Sequence, residues 1–325
     1  MNLTKTAWLV TSAFILALVA LAPAVAPAQD KPKIQLRVGT LRIAAQTDAW
    51  VAQQRGFFAK HGIEATLTPF NTGAESIPAM QGGAIDVLLS IPGIGMIAME
   101  RGLDIVPVFQ DESAHATPPD SASVQVMENS PIKTIADLRG KKIGVGGLST
   151  QNTIAVKMLL DKAGVDPASV QMSEVPFPAM MNALKAGHVD AVVPVDPFTT
   201  QLRHSGGRVI SWNYVEAIPE QPLGVWFAKG SFLKSNPQAI DGFIAAMKES
   251  INYLHADDKR ARDEIAAYTK LDRGMLENMP LIGWNYQVKL DRWQAVIDMM
   301  VKYGGMQPKK AEDFMTAQLR PFVMK

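Results

Sequence analysis

The sequence predicts an α/β protein of two Rossmann-like lobes joined by a two-strand hinge, and three observations predict it. Short apolar runs of strand type alternate with helical patterns from about residue 38 onward. That alternation restarts near residue 142. Beyond residue 228 the pattern is almost wholly helical, so the last block must pack on something built earlier.

The amino terminus comes before any of this. After Lys5 the first 28 residues carry no charge, and the run from Ala7 to Leu21 is apolar apart from Thr11 and Ser12. Small residues follow at Ala24, Ala26 and Ala28, the pattern a signal peptidase reads, so residues 1–28 are an expected signal peptide cut after Ala28. The run is shorter than the roughly 20 apolar residues that span a bilayer. A cut there leaves roughly 300 residues, more than one domain usually holds. The chain has no cysteine, so neither a lipidated cysteine nor a disulfide is available. With 32 basic and 31 acidic residues the charge is balanced, which offers nucleic acid no electrostatic footing. A hydrophobic content of 47% is ample for buried cores.

Strands are expected at residues 38–41, 65–70, 86–90 and 105–109, with helices at 50–60, 73–81 and 92–100 between them. The second series places strands at 142–145, 170–175, 190–195 and 208–211, and helices at 151–163, 177–186 and 197–204. The match between the series reaches single residues. Met80 to Val87 reads MQGGAIDV and Leu184 to Ala191 reads LKAGHVDA; in each a helix ends at Gly and an Asp opens a buried strand. Gly62 and Gly164 each close a helix where a left-handed cap is wanted. Parallel βαβ units of this kind build sheets covered by helices on both faces.

One more strand is expected at 223–228, followed by helices at 237–255, 259–270 and 290–303, with Phe243, Met247, Ile251 and Leu254 on one face. A helical block without a sheet of its own most simply returns to the first lobe. The expected division is therefore residues 29–117 with 224–325 as lobe 1, and 118–223 as lobe 2. The chain would cross near 110–123 and 214–223, where Pro118, Pro119, Pro219 and Pro222 signal turns and extended chain.

Several of these segments are similar to a known family. IADLRGKKIGV at residues 135–145, RGFFAKHGIE at 55–64, QGGAIDV at 81–87 and KAGHVDAVV at 185–193 occur in that order. They resemble substrate-binding proteins of ATP-driven (ABC) importers, in the branch that binds nitrate, taurine and aliphatic sulfonates. Binders of thiamine precursors and of aromatic acids belong to the same branch. The resemblance covers nearly the whole mature chain. It implies a type II periplasmic binding fold, a ligand held between the lobes, and a membrane permease with its ATPase as partners. No cofactor, metal or nucleic acid is implied, and a periplasmic monomer is expected.

The same cleft follows from physics, because open α/β sheets bind ligands beyond the carboxyl ends of their strands, at helix starts with free amides. After the first strand stand Arg42, Gln46 and Asp48. Arg42 can fork onto a carboxylate or sulfonate, while Asp48 can equally serve as a helix cap. Asn71 and Thr72 open the next helix, and Ser90 ends the strand that Pro92 turns into a helix. In the second lobe Ser149, Thr150 and Gln151 form the richest polar turn; it lacks the Gly-Lys-Ser/Thr ending of a nucleotide loop. Opposite it come Asp196 and Phe198. Relatives place an aromatic and a proline there, so Asp196 is a departure, and a ligand with an amine or hydroxyl besides an anionic end would suit Arg42 and Asp196 together. Trp226, at the second crossing, is an expected aromatic wall.

The five histidines, His61, His115, His188, His204 and His255, show no metal-ligand spacing. The expected function is capture of a small organic molecule, anionic and of sulfonate or carboxylate type, without catalysis. The alternatives are a ligand-sensing protein and an enzyme like the thiamine-pyrimidine synthases, whose cysteine cluster this chain lacks.

Overall fold

In a computed structural model of the chain the described residues are 33–70 and 73–324; the expected signal peptide lies outside them. Strand β1 (Ile34–Leu41) leads through a single 3-10 turn into helices α1 (Thr47–Gln54) and α2 (Phe57–Lys60). The one helix expected over 50–60 is thus two, because Gly56 adopts φ 73°, a left-handed conformation that ends a helix. Then follow β2 (Ile63–Phe70), α3 (Gly73–Gln81), β3 (Val87–Ser90), α4 (Pro92–Glu100) and β4 (Val106–Ser113). Strand β4 runs on to Ser113 instead of stopping at Phe109, through four polar residues that are all buried.

The second series opens with β5 (Val124–Met127), which the sequence reading missed. It continues with β6 (Lys142–Val145), α5 (Gln151–Lys162), β7 (Gln171–Glu174), α6 (Phe177–Lys185), β8 (Ala191–Val193), α7 (Phe198–His204), β9 (Gly207–Ser211) and α8 (Asn213–Ala217). The last block is β10 (Pro222–Ala228), α9 (Gly230–Ser235), α10 (Pro237–His255), α11 (Asp258–Thr269) and α12 (Leu290–Gly304).

Two five-stranded sheets result, ordered β2-β1-β3-β10-β4 and β7-β6-β8-β5-β9. The repeat is therefore topological as well as local. In each sheet the first three strands are parallel, and the strand that arrives from the other sheet enters antiparallel beside the third. The paired aspartates have matching duties. Asp86 accepts the Arg37 backbone N–H at 3.0 Å, and Asp190 accepts that of Lys142 at 2.8 Å. Each carboxylate thus ties the head of its strand to the neighbouring one, which is why an Asp follows the helix-ending glycine in both halves.

Helix α10 buries Phe243, Met247, Ile251 and Leu254 as its periodicity predicts, against Leu36, Val38 and Trp226 of the first sheet. Burial of such side chains is worth about 1.5–3 kcal/mol each. On the sheet's other face, Met96, Met300 and Ile297 pack with Ile154, Leu159 and Tyr214. Since the last three lie on α5 and α8, that apolar seam joins the two halves. Val124, Ile143, Val156 and Leu160 form the core of the second sheet. Among the described residues no helix is long and apolar enough to cross a membrane.

Candidate functional site

The strand ends of the two sheets face each other across a cavity of about 130 Å³. One wall comes from the loop after β1 (Leu41, Ile43), the β3–α4 turn (Ser90, Ile91) and Glu112 of β4. The other is made by Ser121, Thr150, Phe177, Asp196 and Tyr214. Gly146 lets this second wall close: a Cβ there would stand 2.6 Å from the Phe177 ring.

Most hydroxyl and amide donors in the wall are already committed. Ser90 Oγ donates to Ile91 O at 3.2 Å, and Thr150 Oγ1 donates to Gly147 O at 3.1 Å while accepting the Thr153 N–H at 3.3 Å. Asn152 Nδ2 donates to Val193 O at 3.2 Å. Ser121 Oγ donates to Glu112 Oε1 across 3.5 Å.

Asp196 ties the two walls together. Its backbone N–H donates to Ser121 O at 2.7 Å, and its carbonyl accepts from Ala44 N at 3.1 Å, a bond that spans the two walls. Its Oδ1 accepts the Thr200 N–H at 2.9 Å, whereas Oδ2 is buried without a partner. Burial disfavours the charged form. It pushes the Asp196 carboxyl up to about 7, against the lowering influence of Thr200 and Arg203. The same burial, with Asp111, Asp120 and Asp196 nearby, holds Glu112 well above the usual carboxylate range.

Behind Glu112 lies a second layer of acids. Asp111 is raised to about 7 by burial, although Trp226 Nε1 donates to its Oδ2 at 2.5 Å. Asp48 is pushed well above its ordinary value by burial and by the adjoining Asp111. Asp120 is raised by burial too, with His115 and the Ser121 N–H opposing.

A wider groove of about 870 Å³ adjoins the cavity on its outer side, with Ile43, Pro176 and Phe177 lining both. Arg42, Trp50, Tyr268, Lys270 and Phe198 face this groove, and Phe198 stacks on Phe177 at 6.1 Å between centroids.

The sequence-derived candidates therefore separate. Ser90, Thr150 and Asp196 meet at the cavity, while Arg42 and Phe198 stand outside it in the groove. Gln46 and Asp48 are fully buried behind the β1 loop, Gln46 Oε1 accepting the Leu41 N–H at 3.0 Å. Besides Gln46 and Asp48, which line neither space, three candidates need correction. Trp226 is no wall: it is fully buried, edge-on to Phe243 at 5.1 Å, because its position in β10 points it under α10. Gln151 donates to Gln221 Oε1 and Pro222 O at 2.7 and 2.8 Å, tying α5 to the return crossing. Ser149 is exposed and lines neither space. Asn71 and Thr72 lie outside the described residues. Glu112, Ser121, Phe177 and Tyr214 were not foreseen. The polar run Gln110-Asp111-Glu112-Ser113 was the available signal for the first, since four polar residues continuing a buried strand need a polar place to point.

Comparison with known proteins agrees with this architecture. A Brucella abortus protein named as a binding protein is 26% identical over 319 residues, covering 91% of this chain and 93% of its own. A formylaminopyrimidine-binding protein of Halalkalibacterium halodurans is 23% identical over 292 residues, 83% of this chain and 85% of its own. Among solved structures, the alkanesulfonate-binding protein SsuA of Xanthomonas axonopodis pv. citri superposes with a TM-score of 0.71 at 18% identity, over 89% of this chain and 98% of that one. The fold is thus that of periplasmic binding proteins, and it also serves a desulfurization enzyme (TM-score 0.61, 14% identity, 89% of this chain and 98% of the enzyme). The NMT1/THI5-like family model matches residues 45–261, most of the described chain, and the protein belongs to that family.

Proposed function

We propose that the protein is the periplasmic solute-binding component of an ABC importer, capturing a compact organic molecule between its lobes and handing it to a membrane permease with its ATPase. The observation that carries this reading is the cavity whose walls come from both sheets. A solute held there touches both walls only when they are together, so binding favours the closed arrangement by that differential affinity. The Ala44 N–H to Asp196 carbonyl bond fits the closed arrangement. So does the ion pair of Lys302 with Asp161 at 2.7 Å, which links α12 to α5. Residues 1–28 support export through their apolar core and small-residue end. Lobes divided at 117/118 and 223/224 would pivot about the crossings, and the groove with Arg42 would admit the solute. In this reading the protein works as a monomer and releases the solute unchanged.

The test uses the absence of cysteine. Fluorophores on introduced Lys185→Cys and Lys234→Cys, both at exposed positions, would report lobe approach by energy transfer. Solutes identified by mass spectrometry of the purified protein would then be added back. The expected result is a rise in transfer and, at a thousand times Kd, about 4 kcal/mol of stabilisation, with the solute recovered intact. Turnover of the solute would instead favour an enzyme that uses the cavity carboxyls. No change in transfer would overturn capture by closure.

A further inference from the structure

Resting on the reading of the cavity as a solute site, we infer that the solute enters it with a cationic nitrogen head, an amine, amidine or protonated aminoheterocycle, seated between Asp196 and Glu112. The walls contain two carboxyls and no Lys, Arg or His. Their hydrogen-bonding capacity is equally one-sided. The side-chain donors of Ser90, Thr150 and Ser121 and one N–H of Asn152 are spent on protein acceptors, and the Tyr214 hydroxyl lies within the electrostatic influence of Glu112 and Asp120. Asp196, 2% exposed, keeps one carboxyl oxygen, Oδ2, without a partner, and the Thr200 hydroxyl beside that carboxyl is unpaired as well. A sulfonate or carboxylate there would meet two carboxyls and no cationic side chain, and wherever either carboxyl ionises it would stand beside like charge in a low-dielectric space. The start of α5 offers an anion little, because Thr150 already caps it.

A head with N–H donors and one positive charge repairs both defects at once. It pairs with the free oxygen and supplies the charge that ionised Asp196 requires. Below about pH 7 the Asp196 carboxyl of the empty cavity keeps its proton; there the cation replaces that proton, which leaves to solvent, and the net charge of the cavity is unchanged. An anionic end, where the solute has one, would extend past Phe177 towards Arg42 in the groove.

Affinity for the cation should then rise with pH through the range in which Asp196 ionises. The groups facing Asp196 are Thr200 and Arg203 of α7 and Asp120 of the outward crossing. Facing Glu112 are Asp111 of its own strand, Asp120 and Ser121 of the crossing, Asp196, and Tyr214 of α8. His115 faces Asp120, and Asp48 of α1 faces Asp111 and Glu112.

The experiment is calorimetric titration of the full mature chain with matched probes, benzylamine and benzamidine against benzoate and benzenesulfonate, in buffers of different ionisation enthalpy at pH 6 and pH 8. The expected result is binding of the nitrogen probes alone, with proton release at pH 6 and affinity about tenfold higher at pH 8. Asp196→Asn should weaken the cations at least about tenfold and abolish proton release, and Glu112→Gln should weaken them independently; circular dichroism checks the fold of both. Exclusive binding of the anion probes, proton uptake, or no cation binding would overturn the inference. Anion binding accompanied by lobe closure would do so while leaving capture by the protein intact.

Discussion

Trp226 and Asp111 show how one residue's role depends on what lies behind it. The indole N–H reaches a buried carboxyl whose other oxygen, Oδ1, finds no N–H or O–H donor, its side-chain neighbour being the Asp48 carboxyl. Replacing the ring with one of similar bulk but no donor, as in Trp226→Phe, should cost about 1–3 kcal/mol of stability, the usual consequence of orphaning a buried polar atom. Urea unfolding measures it. Solute affinity should be unchanged, because the ring faces α10; a large loss of affinity with unchanged stability would return Trp226 to the cavity wall. Asp86 carries a similar argument in the first sheet. It binds the Arg37 backbone and side chain together, at 3.0 and 2.9 Å, and a sequence that places Asp at the same point of both repeats shows this duty in advance.

At the scale of elements, α5 is the joint between fold and site. Thr150 caps it, lines the cavity, and turns its hydroxyl back to Gly147. Thr150→Ala should destabilise the protein by about 1 kcal/mol, as loss of a helix cap does, and should change cation affinity little, since the hydroxyl proton is already committed. A strong selective loss of affinity, followed by titration, would instead make Thr150 a direct solute contact. Helix limits were largely legible: α3, α4 and α10 begin and end where their glycines, prolines and periodicity say. Strand β5 was not. Its four residues alternate Val124, Gln125, Val126, Met127, yet Gln125 is fully buried, donating to Ser123 Oγ and Thr199 O at 2.9 and 3.0 Å. A polar residue made acceptable by distant acceptors erases the apolar run on which a strand is recognised.

For the whole molecule the buried acids set a dependence on pH. Asp111 and Asp196 are raised from the ordinary 3.8 to about 7 in the folded state. Between those values the folded chain keeps protons that the unfolded chain has released, so stability is greatest at the acidic end and falls as pH rises, by up to about 1.4 kcal/mol per unit per group. Unfolding by urea should therefore give a less stable empty protein at pH 8 than at pH 5, and Asp196→Asn should flatten the dependence. Stability rising over this range would mean that the carboxyls are ionised and paired. A bound cation should reverse the trend, because it prefers the ionised cavity. The Lys302–Asp161 pair adds little to this balance, with both side chains substantially exposed at 64% and 44%.

The sequence by itself determined the order of most of the elements, β5, α8 and α9 excepted, the doubling of the fold, and the helix starts at which a cleft would form. These depend on spacing, caps and turns, which act within a few residues. Only the tertiary structure decided which side chains face one another there. Glu112, Ser121, Asp196 and Tyr214 come from separate stretches of chain, brought together by two crossings and by the register of β4 against β10. The same register turned Trp226 into the core. Asp196, met in the sequence as a departure from its relatives, became a buried carboxyl in the cavity wall with one oxygen unpaired, because its electrostatic surroundings are supplied by residues far along the chain.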